Sequence, residues 1–117
     1  MIKEIGTVAV MVSDRQKALD WYTQKLGFEV KANTEHWVVV GLHGQSFGLH
    51  LCATEFPGSK LEPGNTGILF NVDNLETTVA ELKGKDVVFA QDITKEFWGT
   101  YAMCKDPDGN EFWLMAH

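Results

Sequence analysis

One module appears twice in this chain. Residues 7–12 (Thr-Val-Ala-Val-Met-Val) and residues 67–72 (Gly-Ile-Leu-Phe-Asn-Val) alternate in the manner of β-strands, and each run leads into a helical stretch closed by glycine. The two copies start 60 positions apart in a chain of 117 residues. A supersecondary unit that recurs at a fixed offset restricts the fold to architectures built from two copies of it, which is a tighter constraint than composition supplies.

The first copy reads as follows. Residues 5–12 form a strand that sends Val8, Val10 and Val12 to one face and Thr7, Ala9 and Met11 to the other. Ser13 or Asp14 can then accept from free backbone N–H groups at a helix start, and Ala18, Leu19, Tyr22 and Leu26 recur at helical spacing before Gly27, which predicts a helix over 14–26. Strands are expected over 28–32, 36–42 and 47–53, the last two joined by a turn over 43–46. The unit is β-α-β-β-β.

Residues 54–66 concentrate Pro and Gly without periodicity and read as a linker. The second copy has a strand over 67–72, a helix capped by Asn74, carrying Leu75, Val79 and Leu82 and ended by Gly84, then strands over 87–90, 101–105 and 111–116. The last two are joined by Asp106-Pro107-Asp108-Gly109, a sequence suited to a tight turn. The expectation is a single α+β domain over 1–117, with module one about 1–53 and module two about 67–117.

Composition narrows the function classes. Ten Lys and Arg against sixteen Asp and Glu give a formal charge of −6, which repels nucleic-acid backbones and anionic lipid surfaces. No apolar run approaches the roughly 20 residues that a spanning helix needs, and the first residues do not read as a secretion signal, so a cytoplasmic location is expected. Cys52 and Cys104 lack a CxxC spacing and are expected to be buried, reduced thiols.

The duplicated module, together with "VSDRQKALDWYTQKLGFEV" in the first half and "KDPDGNEFWLM" closing the second, resembles the vicinal oxygen chelate superfamily. That group includes glyoxalase I, extradiol dioxygenases, fosfomycin-resistance enzymes and bleomycin-resistance proteins. The resemblance implies two tandem modules whose curved mixed sheets form a cup, and it implies a homodimer. It also implies a divalent metal held at four positions, which fall here on Thr7, His50, Gly67 and Trp113. Three of these offer no family ligand, so no metal, other cofactor or catalytic residue is expected, unless a metal is recruited by a different set such as His50 and Glu111. The chain is nearest in character to the metal-free binders of the bleomycin-resistance type.

Strand parity then assembles a candidate ligand-binding set. Thr7, Ala9 and Met11 share a face with His50, while Leu69 and Asn71 share one with Glu111 and Trp113; Trp37, Trp98, Tyr101 and Met103 are further candidates. Gly48, Cys52 and Gly67 follow the same parity. Such a surface is apolar and aromatic with a few polar groups, the usual make-up of a small-molecule site. The tryptophans suit a planar ligand, Glu111 a cationic one, and His50 a hydrogen bond or a general base near neutral pH. Three functions compete: a metal-independent binding protein for an aromatic or cationic compound, with antibiotic resistance as its setting; a glyoxalase- or dioxygenase-like enzyme with a non-standard ligand set, or a cofactor-free one using His50 and Glu111; and a non-catalytic dimerisation module with a filled cup.

Overall fold

Two β-α-β-β-β units follow one another. The computed structural model describes residues 1–35, 37–53 and 62–116. The first unit, Met1–Glu62, contains β1 (Thr7–Val12), α1 (Arg15–Lys25), β2 (Glu29–Asn33), β3 (Val38–Gly41) and β4 (Gly48–Ala53). The second, Pro63–His117, contains β5 (Asn65–Val72), α2 (Leu75–Gly84), β6 (Val88–Glu96), β7 (Gly99–Lys105) and β8 (Glu111–Ala116). Each unit forms one four-stranded sheet, in the orders β1-β4-β3-β2 and β5-β8-β7-β6. In each, the first strand runs parallel to the last and the other pairings are antiparallel.

The two helices begin where their caps put them. Asp14 accepts from the N–H groups of Gln16 and Lys17 at 3.0 and 3.1 Å, and Asn74 accepts from that of Thr77 at 2.9 Å. Each cap satisfies donors that have no partner inside the helix. α1 stops before Gly27, whose φ of +74° is a left-handed conformation. α2 ends at Gly84, as expected, but the left-handed position after it belongs to Asp86, with φ +65°.

Parity sorts burial along β5 and β8, whereas β3 is buried throughout and Met11 and Met103 are buried on the opposite face. In the first unit Val10, Val12, Val40, Leu49 and Leu51 are buried, as are Ala18, Leu19 and Tyr22 of α1, which lies against β3 and β4. In the second, Ala102, Cys104, Phe112 and Leu114 are buried together with Leu75, Val79 and Leu82 of α2. Phe112 stacks on Phe70 at 5.1 Å. Burying an aromatic side chain of this kind contributes about 1.5–3 kcal/mol, so each helix is held to its sheet mainly by apolar area.

Several boundaries differ from the sequence reading. β5 starts at Asn65, inside the expected linker, because the Thr66 hydroxyl donates to the Glu111 carbonyl at 2.7 Å and the Glu111 N–H donates to the Gly64 carbonyl at 2.9 Å. β6 runs to Glu96 and β7 begins at Gly99, so the hairpin between them is longer than expected. Residues 91–96 are polar apart from Ile93 and lie on an edge strand, which has less need of an apolar alternation. β2 and β3 are displaced from the expected 28–32 and 36–42 by one or two residues. His36, His117 and linker residues 54–61 lie outside the described residues.

Candidate functional site

The sheet face of the second unit that points away from α2 carries the densest group of aromatic rings. Register places Trp113 between Leu69 on β5 and Met103 on β7, and places Met115 between Asn71 and Tyr101. Gln91 and Thr94 of β6 continue the rows beside Met103 and Tyr101. The Tyr101 and Trp113 rings lie 4.7 Å apart, Trp98 stacks on Tyr101 at 5.1 Å, and Trp98 and Trp113 are 6.0 Å apart. These spacings fall within the range in which aromatic rings attract one another.

Trp98 reaches the cluster from the tip of the β6–β7 hairpin, and Gly99 makes that approach close. Gly99 has φ +151°, and a Cβ built there would lie 2.8 Å from the Met115 Cε. Trp98 remains 47% exposed and Leu69 44%, so the face is not closed over by the chain's own packing. Met103 is buried. Glu111 opens β8, opposite Lys105 and beside Asn65, with its side chain part-exposed.

In the first unit the corresponding face is built on β1 and β4. Thr7, Ala9 and Met11 stand opposite Gly48, His50 and Cys52. Trp37, which precedes β3, lies 4.0 Å from His50 ring to ring. Its backbone is held by Thr34, whose N–H donates to the Trp37 carbonyl at 2.9 Å and whose hydroxyl accepts from the Trp37 N–H at 3.1 Å. Met11 is buried, while Ala9 and Trp37 are exposed.

Burial pushes the His50 pKa below its ordinary value, and the Arg15 guanidinium pushes it further in the same direction. Both effects favour the neutral imidazole, in which one ring nitrogen donates a hydrogen bond and the other accepts one. Both cysteines are free thiols, but only Cys104 is buried; Cys52 is part-exposed on the His50 face, because strand parity turns it away from α1. Burial pushes the Cys104 thiol up to about 12, so it stays protonated and unreactive.

The ligand-set test implied by the sequence resemblance can be made on donor chemistry. Gly67 has no side chain, the Trp113 indole nitrogen has no lone pair to give, and Thr7 offers only a neutral hydroxyl, which leaves His50. Among the described residues no three His, Cys, Asp or Glu side chains come together in a group able to hold a metal ion. The four family positions therefore do not fit the metal.

The sequence reading missed one feature of the second unit. Beside Trp98 lies an open recess of about 610 Å³, with Asp73, Glu76, Ile93, Trp98 and Met115 among its walls. Of these only Trp98 had been singled out from sequence. Asp73 and Glu76 flank the Asn74 helix cap, so the recurrence of the cap motif is the signal that could have found them.

Comparison with known proteins agrees with the architecture. YetH, an uncharacterized protein of Bacillus subtilis strain 168, is 34% identical over 122 residues, covering 97% of this chain and 98% of its own. A member of the glyoxalase/bleomycin resistance protein/dioxygenase superfamily from Sphaerobacter thermophilus superposes with a TM-score of 0.87 at 28% identity, covering 99% and 98% of the two chains. TnmS3, an antibiotic-binding protein from Streptomyces sp. CB03234, superposes with a TM-score of 0.83 at 30% identity, covering 98% and 96%. The duplicated units, these likenesses over almost whole chains, and a family model that matches residues 4–114 lead to one assignment: the chain belongs to the Glyoxalase/Bleomycin resistance protein/Dioxygenase superfamily.

Proposed function

We propose that this chain is a metal-independent binding protein that sequesters a small aromatic or cationic compound, with an antibiotic as the leading candidate. The observation that carries the reading is the Trp98, Tyr101 and Trp113 cluster, three rings within 6.0 Å of one another on a sheet face that remains partly open. Large rigid rings supply contact area at little cost in side-chain entropy, and stacking adds about 0.5–1.5 kcal/mol per pair beyond area burial. The antibiotic-binding protein TnmS3, at 30% identity over nearly the whole chain, supports the same reading. In this reading the protein works as a cytoplasmic homodimer and needs no cofactor.

The test is a binding screen of planar aromatic and cationic drugs, read by quenching of tryptophan fluorescence and confirmed by calorimetry. For a compound that binds, Trp113→Ala and Trp98→Ala should each weaken binding about 10- to 100-fold, as expected of central aromatic contacts at roughly 1.4 kcal/mol per tenfold. Unchanged affinity in both variants would exclude this face as the site.

A further inference from the structure

The chain has four methionines, at positions 1, 11, 103 and 115, and the fold treats them differently. Met11 and Met103 are buried, at 2% and 8% exposure, and Met1 precedes β1 and is fully exposed. Met115 is part-exposed and built into the aromatic face. β8 carries it between Asn71 and Tyr101, and it forms one wall of the open recess beside Trp98, so water reaches this side chain.

Its methyl end is closely held. The Cε lies 2.8 Å from where a Cβ on Gly99 would stand, and the hairpin closes down on it because that residue is glycine. Gly99 follows Trp98 directly, and Trp98 stacks at 5.1 Å on Tyr101, the strand partner of Met115. The Met115 side chain therefore supports the corner of the hairpin from which Trp98 reaches the other rings. A thioether suits this place, being apolar and adaptable in shape. A sulfoxide at the same sulfur is polar and bulkier, and its oxygen turns to the water of the recess, which draws the methyl end away from Gly99.

We propose that Met115 is a peroxide-sensitive modification site, and that its conversion to the sulfoxide unseats Trp98 from the ring cluster. In that step hydrogen peroxide transfers one oxygen atom to the sulfur as its O–O bond breaks; the sulfur loses two electrons, and the peroxide leaves as water. The inference rests on the binding function proposed above and adds a regulation of the same site.

The test treats the intact protein with hydrogen peroxide and follows it by peptide mass mapping and near-ultraviolet circular dichroism, which reads the coupling of rings 4.7 to 6.0 Å apart. Met115 and Met1 should gain an oxygen atom about 10-fold faster than Met11 and Met103, since susceptibility follows exposure. As Met115 reacts, the spectrum should move toward that of Trp98→Phe, and the two methionine sulfoxide reductases together should restore it. The volume-conserving variant Met115→Leu should keep its spectrum under the same treatment while Met1 still reacts. An unreacted Met115 beside an oxidised Met1 would overturn the assignment. So would an oxidised Met115 with an unchanged spectrum, a loss that the reductases do not reverse, or an equal loss in Met115→Leu. Reversal by the reductases in the unaltered protein decides alone if Met115→Leu fails to fold. A compound that binds this face should lose affinity on oxidation by no more than Trp98→Ala costs it, and unchanged affinity would overturn the regulation. The spectra need no ligand, so a screen that finds no binder would count against the binding function and leave the oxidation site standing.

Discussion

His50 and Trp37 form a contact whose state depends on one proton. The folded protein lowers the His50 pKa, by burial first and by Arg15 second, so the folded chain takes up the proton less readily than the unfolded chain does. Between the lowered pKa and the ordinary value of 6.5 the unfolded state binds more protons, and stability there rises with pH. The contribution is complete above 6.5 and is lost as pH falls through the folded pKa. Chemical denaturation at pH 7.5 and pH 5.5 should therefore show a smaller loss of stability on acidification in His50→Gln than in the unaltered protein; an equal loss would remove His50 from the account. Asp92, whose carboxyl is held low by Lys83, titrates in a more acidic window and does not interfere. At this scale the sequence was most legible where parity decides. The shared faces of Ala9 with His50 and of Leu69 with Trp113 follow from alternation alone. The tilted Trp37–His50 contact does not, because a turn built by Thr34 holds the Trp37 backbone, and no periodicity encodes that.

The Asp106–Asn110 turn shows why a short polar motif can carry so much of a fold. Asp106 Oδ1 accepts from the N–H groups of Asp108 and Asn110 at 2.9 and 2.8 Å, and its Oδ2 accepts from the Asn110 amide at 2.8 Å. Asn110 Oδ1 in turn accepts from the Gly64 N–H at 3.3 Å, so the β7–β8 turn also fixes the entry into β5. Both side chains are buried, Asp106 at 5% and Asn110 at 2% exposure. Asp106→Ala should cost about 2–3 kcal/mol and Asn110→Ala about 1–3 kcal/mol, because each leaves buried donors or acceptors unpaired. Urea denaturation checks both, and a loss below about 0.5 kcal/mol in either would show that the turn is not a stabilising element. Asp86 gives a prediction of opposite sign. It holds φ +65° after α2, so Asp86→Gly should be neutral or stabilising by up to about 1 kcal/mol, measured in the same assay. The two helices, their caps and most strands were readable because the repeat presents each signal twice. β6 was underestimated because residues 91–96 form an edge with register shifts near Gln91 and Thr94, and such a strand has little need of an apolar pattern. The acidic recess went unread for the same reason, since Ile93 comes from the unrecognised part of that strand.

Taken whole, the molecule is two copies of one module that have kept their backbone and diverged in their faces. The first copy sets an imidazole against one indole; the second gathers three rings and opens an acidic recess beside them. With a formal charge of −6, long-range attraction favours cations over anions as ligands for the chain as a whole. The proposed homodimer predicts a solution mass of twice 13.1 kDa by light scattering and a thermal midpoint that rises with protein concentration, whereas a midpoint independent of concentration would argue for a monomer. The loss of the family's ligand set leads to a further expectation for the whole chain. A resident metal that binds only the folded state would stabilise it by about 4 kcal/mol at a thousand times its dissociation constant. Removing such an ion would lower the melting temperature of a domain this size by roughly 4–8 °C for each kcal/mol lost. Protein purified without chelator, then treated with EDTA or supplemented separately with zinc, nickel, manganese and iron, should instead keep its melting temperature within about 1 °C, as expected when no linked ion is lost or gained. Elemental analysis of the same samples should find no stoichiometric metal. One metal per chain, together with a chelator-sensitive midpoint, would overturn metal independence and return the chain to the catalytic branches of its superfamily.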